Sequence, residues 1–190
     1  MKTLKFYLIL SLVMLLNLVS CKKGEEDPFL SLRTRKSRLT GEWKVSYYDY
    51  KEYSKNGEVL YSESFDGTNI KDEDGFLYSY SSEFTFEKNG TYQNIIINDG
   101  ETSTEKGNWI FVGKNKDLDV KKREYLMLNE TSYTIGDYHT TNTNLVTDES
   151  VSYKLIKLSN KEIIMSYSYE EDSFVGGYSK EEGVLKLIKK

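Results

Sequence analysis

The chain has 190 residues, with 26 basic and 30 acidic side chains and a formal net charge of −4. This acidic balance argues against a nucleic-acid partner, because nucleic-acid binders usually carry a basic face. A single Cys and a single His exclude an intramolecular disulfide and a structural zinc site with four protein ligands. The chain contains no Ala but has 16 Tyr and 8 Phe, and aromatic residues are enriched in strands. The composition therefore predicts an all-β protein.

The N-terminus carries a short apolar segment preceded by two lysines. Residues 6–16 are apolar or weakly polar; this run is shorter than the ~20 residues that cross a bilayer and has the length of a signal-peptide core. The sequence LVSC at residues 18–21 resembles a bacterial lipobox. The resemblance implies that residues 1–20 are a cleaved lipoprotein signal peptide and that Cys21 carries diacylglycerol and a palmitate-type acyl chain. An ordinary secreted protein, in which Cys21 is incidental, is the alternative.

Residues 21–37 are predicted to form the acylated Cys and a tether, ahead of a domain at residues 38–190. The sequence KKGEED at residues 22–27 is charged and has no apolar residue, which is typical of a solvated spacer. It also resembles the short acidic export tags of Bacteroidota surface lipoproteins. This resemblance implies a lipid-anchored protein of the bacterial outer membrane, on its periplasmic face or at the cell surface.

A short N-terminal helix is predicted at residues 28–39, since Asp27 is an acceptable N-cap and Pro28 suits the first helical position. The helix contains four basic residues: Arg33, Arg35, Lys36 and Arg38. Two interpretations of this cluster are open. It contacts anionic lipid head groups near the anchor, or it is a solvated helix face, which short basic runs form more often.

Alternating apolar and polar residues after Gly41 predict nine short strands. They lie at residues 42–50, 58–65, 83–87, 91–98, 106–112, 123–129, 151–158, 162–170 and 183–189. Turn sequences join them, and Asn89-Gly90 is the strongest hairpin signal. We therefore expect an antiparallel up-and-down barrel of about eight to nine strands. The long polar stretches 66–80 and 131–150 are predicted to be loops at the barrel rim.

A Gly two residues before a Trp occurs twice, in LTGEW at residues 39–43 and in GNW at 107–109. With FTF at 84–86 and NGTY at 89–92, these motifs are similar to those of the lipocalin-like lipoproteins of Bacteroidota. The resemblance implies a lipocalin-like β-barrel with no assigned enzymatic activity. Four residues of these motifs are expected to have structural roles: Gly41, Trp43, Gly107 and Trp109.

The sequence departs from the lipocalin pattern at its end. Lipocalins proper carry an Arg that stacks on the opening Trp, whereas the last Arg of this chain is Arg123, and its final strand has Lys186 and Lys189. The resemblance thus implies the architecture and not membership of the ligand-carrying core group. In the first strand, Trp43 and Tyr47 are predicted to share one face.

No motif marks a catalytic or metal centre. The only His, His139, lies in a predicted loop, and the chain has no GxSxG nucleophile motif. The acidic stretch 72–75 lacks the EF-hand spacing. We therefore expect a non-enzymatic protein without catalytic residues, metal ligands or a cofactor.

Tyrosines in and beside the predicted rim loops are the candidate ligand-binding residues: Tyr78, Tyr80, Tyr133 and Tyr138. Loops on a rigid scaffold often carry binding residues, and Tyr is an efficient recognition side chain. Two functions are compatible with this sequence. One is a lipid-anchored binding protein for a small apolar molecule or a glycan. The other is an interaction module of an outer-envelope protein complex, with a barrel filled by its own side chains.

Overall fold

The computed structural model describes residues 26–28, 33–114, 124–141, 150–173 and 177–190. One short helix, α1, spans Arg35–Leu39. Eleven strands lie within the described residues: β1 (Gly41–Tyr53), β2 (Val59–Phe65), β3 (Asn69–Asp72), β4 (Leu77–Phe86), β5 (Thr91–Asn98), β6 (Glu101–Phe111), β7 (Tyr125–Ile135), β8 (Tyr138–Thr141), β9 (Ser150–Leu158), β10 (Glu162–Ser173) and β11 (Gly177–Lys189).

The strands form a closed antiparallel barrel of ten strands, with β8 outside it. Strands that follow one another in the chain are neighbours in the wall, except that β9 pairs with β7 and bypasses β8. The wall closes where β6 pairs with β7 and where β1 pairs with β11. The predicted all-β antiparallel barrel with a short N-terminal helix is confirmed.

The two ends of the barrel differ in width. At the start of β1, Gly41 pairs with Phe86 at the end of β4, so β2 and β3 are absent from the wall at this level. Farther along, β1 pairs with β2 instead, from Tyr48 to Tyr53, and β3 pairs with the start of β4. Two additional strands therefore widen the wall at this second end. We call the first end the narrow end and the second the wide end.

The prediction that 66–80 and 131–150 are loops is wrong for β3 and β8, and also for 77–80 in β4 and 131–135 in β7; residues 142–149 lie outside the described residues. Strands β3 and β8 each have four mostly polar residues, so neither shows an alternation of apolar side chains. Main-chain pairing with a longer neighbour stabilises them instead, β3 with β4 and β8 with β7. Before β3, a turn forms in which the Asp66 carboxylate accepts from the Thr68 amide at 2.9 Å.

Apolar side chains fill the narrow end. The residues buried almost completely there are Leu39, Trp43, Val45, Phe86, Leu126, Leu155, Leu158, Ile163, Met165 and Leu187. Burying each such side chain contributes roughly 1.5–3 kcal/mol. Trp43 donates its indole N–H to the Leu39 carbonyl at 2.7 Å, so the polar atom of this large ring is paired inside the core.

The last strand completes the narrow end with a lysine. The Lys189 ammonium lies 4.4 Å from the centroid of the Trp43 ring, within the range of a cation–π interaction. It also donates to the Thr40 carbonyl at 2.9 Å. Gly41 has a φ of +122°, and a Cβ at this position would meet the same ammonium, so both backbone angle and space favour glycine there.

A buried carboxylate anchors the N-terminal segment to the narrow end. The Asp27 carboxylate accepts from Arg35 at 2.5 Å and from the backbone amide of Leu158 at 2.7 Å. Arg38 donates to the Leu158 carbonyl at 2.6 Å and lies 4.0 Å from the same carboxylate. We call Asp27, Arg35 and Arg38, with the Leu158 backbone, the Asp27 clamp.

The Asp27 clamp changes two expectations. Arg35 and Arg38 are buried, so the prediction of a solvated basic helix face is wrong for them, and the same burial removes them from contact with lipid head groups. The helix begins at Arg35 with Thr34 as its N-cap, so Asp27 does not cap it. Packing against the barrel thus begins ahead of residue 38.

We predict that Asp27→Ala lowers the free energy of unfolding by about 3–5 kcal/mol, because it leaves buried guanidinium charge without its carboxylate. Urea denaturation measures this loss. The matched control is Asp49→Ala, which removes a half-exposed partner of Lys51 at 3.5 Å and should cost less than about 1 kcal/mol. Equal losses in the two variants would contradict the role given to the clamp.

Candidate functional site

A β-bulge in β1 decides which side chains face the interior of the wide end. The pairing of β1 with β11 shifts register between Val45 and Tyr47, and one extra residue moves the following side chains to the opposite faces. Tyr48 and Tyr50 therefore take the inner face, and Tyr47 is 39% exposed on the outside. The prediction that Tyr47 shares a face with Trp43 is wrong for this reason.

Tyrosine rings line the interior between the apolar core and the wide end. The members of this tyrosine cluster are Tyr48, Tyr50, Tyr61, Tyr80, Tyr153 and Tyr167. The Tyr50 ring is central, with centroid distances of 6.5 Å to Tyr48, 5.9 Å to Tyr61 and 6.5 Å to Tyr167. Such rings present broad, rigid contact surfaces with polar hydroxyls at their tips.

The cluster is built around a glycine in β11. Gly183 pairs with Tyr50 on one side and with Tyr167 on the other. A Cβ at Gly183 would collide with the Tyr167 ring, so only glycine lets this ring lie across the strand. The Tyr48 hydroxyl is hydrogen-bonded to Tyr167, and the Tyr153 ring meets the Tyr167 ring edge-on at 5.6 Å.

Several glutamates share the inner face with these rings, and we call three of them, Glu63, Glu105 and Glu181, the lumen carboxylates. Glu63 accepts from the Tyr61 hydroxyl at 2.8 Å, and Glu181 lies close enough to Tyr50 to raise the pKa of its hydroxyl. Glu105 accepts from the Asn94 amide at 3.0 Å. Asn94 is buried, and its carbonyl accepts from the Ser82 hydroxyl at 2.7 Å. Glu63 and Glu105 are therefore held in place by neutral donors.

The basic residues of the neighbouring positions lie on the outer face. Lys51 in β1 pairs with Asp49 at 3.5 Å, and Lys180 in β11 pairs with Glu182 at 3.0 Å. Among the ion pairs of the described residues, none includes Glu63, Glu105 or Glu181. Within the described residues, these three carboxylates thus face the interior without a cationic side chain paired to them.

Burial sets the protonation of this region. It raises the pKa of the Glu105 carboxyl above its usual range, although the hydrogen bond from Asn94 opposes the shift. The hydrogen bond to Glu63, followed by burial, raises the pKa of Tyr61 to about 12. Burial also raises the pKa values of the other tyrosines of the cluster: Tyr48, Tyr50, Tyr80, Tyr153 and Tyr167. The hydroxyls therefore stay protonated at neutral pH and act as hydrogen-bond donors.

Of the four tyrosines predicted to bind a ligand, the structure places one in the tyrosine cluster and three outside it. All four lie on strands instead of in loops, and only Tyr80 belongs to the tyrosine cluster, where its ring meets Phe65 at 5.0 Å. Tyr78 is 37% exposed and donates to Asp72 at 3.1 Å. Tyr138 is 61% exposed, and Tyr133 is half-buried in β7.

Of the other singled-out residues that the structure describes, none belongs to the tyrosine cluster. Trp43 and Trp109 are both buried at the narrow end, and Trp109 donates its indole N–H to the Glu87 carbonyl at 3.1 Å. A Cβ at Gly107 would collide with the Asn129 carbonyl. His139 is exposed and bonded to Thr134 at 2.8 Å. Cys21 lies outside the described residues.

The sequence analysis missed most of the site. Tyr61, Glu63 and Phe65 stand at every second position of β2, so the three side chains share one face of the strand. This spacing was the one sequence signal that placed Tyr61 and Glu63 inside the barrel. Tyr50 was hidden because the bulge in β1 reverses the faces, and nothing in the sequence marks Glu105 or Glu181 among 30 acidic residues.

Comparisons with known proteins add no identification. No family model matches the chain, and a comparison with curated proteins finds no match. Within the described ranges, no helix is long and apolar enough to cross a membrane.

We predict that Glu105→Gln stabilises the fold at neutral pH by more than the ~0.5 kcal/mol typical of surface substitutions. The folded state raises the pKa of this carboxyl, so its stability contribution is complete below about pH 4 and is lost as pH rises through the raised pKa. Gln keeps the acceptor for Asn94 and carries no charge. Thermal unfolding of both proteins between pH 4 and pH 8 measures the effect.

The difference in melting temperature between Glu105→Gln and the wild type should shrink towards pH 4, where the carboxyl is neutral in both folded and unfolded chains. Glu182→Gln, on the outer face of β11, is the control and should show no such pH-dependent gain. Equal melting temperatures of the wild type and Glu105→Gln throughout this pH range would contradict the prediction that burial of the ionised Glu105 carboxyl destabilises the fold.

Proposed function

We propose that the protein is a membrane-anchored, non-enzymatic binding protein of the bacterial outer membrane that holds a small ligand at the wide end of its barrel. The observation that carries this proposal is the division of the interior. The narrow end is packed with apolar side chains and closed by the Asp27 clamp, whereas the wide end is lined by half-buried tyrosine hydroxyls and carboxylates. Concave sites with convergent polar groups on a rigid wall are typical of ligand binding.

The anchor rests on the N-terminal sequence. The basic residues, the short apolar run and LVSC at residues 18–21 stand in the order that lipoprotein processing requires. Acylation of Cys21 with diacylglycerol and a further palmitate-type chain holds a protein firmly, since each buried methylene contributes ~0.8 kcal/mol. The periplasmic face and the cell surface are both compatible with such an anchor.

The Asp27 clamp supports an orientation for this anchored protein. The amide of Glu26 donates to the Ile156 carbonyl in β9 at 2.9 Å, and Asp27 is buried against Leu158. Five residue steps separate Cys21 from Glu26, and at ~3.6 Å per residue they span at most about 18 Å. The narrow end therefore stays near the membrane, and the wide end points away from it.

The lining of the wide end favours a polar or amphipathic ligand over a wholly apolar one. Tyrosine faces and hydroxyls suit a glycan or an amphipathic small molecule, whereas the filled core leaves the apolar region occupied by Trp43 and its neighbours. Of the two ligand classes expected from the sequence, the glycan is therefore better supported than the small apolar molecule.

A second candidate function is an interaction module of an outer-envelope protein complex. It is favoured by the filled narrow half of the barrel and by apolar side chains exposed at the hairpins of the wide end. Phe76 and Leu77, next to the β3–β4 turn, are 63% and 65% exposed, and Leu60 in β2 is 56% exposed. Exposed apolar patches of this kind mark protein contacts when they are contiguous.

For the anchor, we predict that Cys21→Ala abolishes incorporation of a clickable fatty acid and moves the protein out of the detergent phase. The reason is that acylation requires the thiol at this position. Ser20→Ala, which keeps a small residue before the cleavage site, is the matched control and should label normally. Continued labelling of Cys21→Ala would overturn the anchor assignment.

For the binding site, we predict that Tyr50→Leu weakens ligand binding at least about tenfold, because it removes the central ring of the tyrosine cluster. The test screens oligosaccharides, amines and fatty acids by calorimetry against the acylated protein in nanodiscs. Tyr47→Leu, three residues earlier on the outer face, is the control and should bind like the wild type. If no class of ligand binds, or if both variants bind equally, the proposed function fails.

A further inference from the structure

Within the described strands, the charged side chains that the register places on the inner face at the wide end are carboxylates. The inward-facing charged residues of the described strands β1, β2, β3, β6 and β11 include Glu52, Glu63, Asp72, Glu105 and Glu181, which alternate with or pair beside the tyrosines. On the same strands, the alternation places Lys51, Lys71, Lys106 and Lys180 on the opposite face. The lining therefore attracts positive charge and repels anions.

Aromatic faces stand beside these carboxylates. The Tyr50 ring lies beside the rings of Tyr61 and Tyr167, with centroid distances of 5.9 Å to the first and 6.5 Å to the second. A cation is attracted to an aromatic face when it lies within about 6 Å of the ring centroid. Rings at this spacing allow one ammonium group to contact two of them at once. The Glu63 carboxylate accepts from the Tyr61 hydroxyl, and Glu181 shares the inner face with Tyr50 on the paired strand β11.

The arrangement does not match a metal site. Within the described ranges, no three His, Cys, Asp or Glu side chains come together as metal ligands. Two pairs of carboxylates face each other across neighbouring strands, Glu52 with Glu181 and Glu63 with Asp72. The tyrosine rings beside them offer contact area and cation–π attraction but are poor ligands for a hard metal ion. Aromatic rings combined with carboxylates are the surroundings that organic ammonium groups prefer.

We propose that the wide end binds an organic cation, with its ammonium group against the rings of Tyr50 and its neighbours Tyr61 and Tyr167 and its charge compensated by Glu63 and Glu181. This inference rests on the proposed function, since it names the ligand class of the same site. Glu105, deeper in the interior and held by Asn94, extends the negative field towards the apolar core. A fatty acid is excluded by the same field, because its carboxylate would face three carboxylates in a half-buried region.

Two probes of equal size test the charge of the ligand directly. Phenethylammonium and 2-phenylethanol share the same aromatic tail and differ in their polar head, which is cationic in the first and neutral in the second. Calorimetry is done on the acylated protein in phosphatidylcholine nanodiscs, with empty nanodiscs subtracted. The expected result is that phenethylammonium binds at least about tenfold more tightly than 2-phenylethanol.

Two adjacent glutamates provide matched variants. Glu181→Gln removes an inward-facing charge, and Glu182→Gln removes an outward-facing charge that pairs with Lys180, so both change net charge equally. Phenethylammonium should bind at least about tenfold more weakly to Glu181→Gln and normally to Glu182→Gln. Thermal unfolding verifies that both variants are folded. Glu63→Gln provides an independent second variant with the same expected loss.

The inference is overturned if phenethylammonium fails to bind at millimolar concentration, if the alcohol binds as tightly as the ammonium, or if Glu181→Gln and Glu182→Gln weaken binding equally. The proposed binding function is retained after such a result if a neutral ligand binds the wild type and binds Tyr50→Leu more weakly. Failure of every ligand class in that screen would remove the proposed function as well.

Discussion

The buried carboxylate of Asp27 is the constraint on which the two-ended architecture depends. A charge removed from water destabilises a fold unless it is paired and hydrogen-bonded, and Asp27 meets both conditions through Arg35 and the Leu158 amide. Because its partners lie at the end of β9 and in α1, the pairing fixes the N-terminal segment across the narrow end. Leu39 then reaches the core, where its carbonyl accepts the Trp43 indole.

With the narrow end closed, apolar packing and polar lining are separated along the barrel axis. Stability comes mainly from the residues around Trp43, and the tyrosine cluster above them carries the lumen carboxylates, of which Glu105 is buried at a cost in stability. Glu105 illustrates the conflict, since burial opposes its ionisation while its Asn94 partner holds it in place. Groups that lower stability at a concave surface are typical of functional sites, and here they lie at the end farthest from the clamp.

The sequence predicted the barrel better than the site. Strand β5 was predicted with its observed bounds, because Asn89-Gly90 and Asp99-Gly100 fix its ends. Strands β3 and β8 escaped prediction because their pairing comes from main-chain hydrogen bonds with longer neighbours and not from a hydrophobic pattern. The β-bulge before Tyr47 is recognised from the pairing of β1 with β11, and the sequence alone does not show this pairing. Asp27 was predicted to belong to a charged spacer, because its buried partners lie up to 131 residues away in the sequence.

Native-state hydrogen exchange tests the central claim that the clamp closes one end while the other stays open to a ligand. The Leu158 amide, which donates to Asp27 at 2.7 Å, is predicted to exchange only through global unfolding. The Ser54 amide, which closes the β1–β2 hairpin at 2.8 Å from the Glu58 carbonyl, is predicted to exchange through local opening at a smaller free energy. Exchange of Leu158 as fast as that of Ser54 would contradict the account.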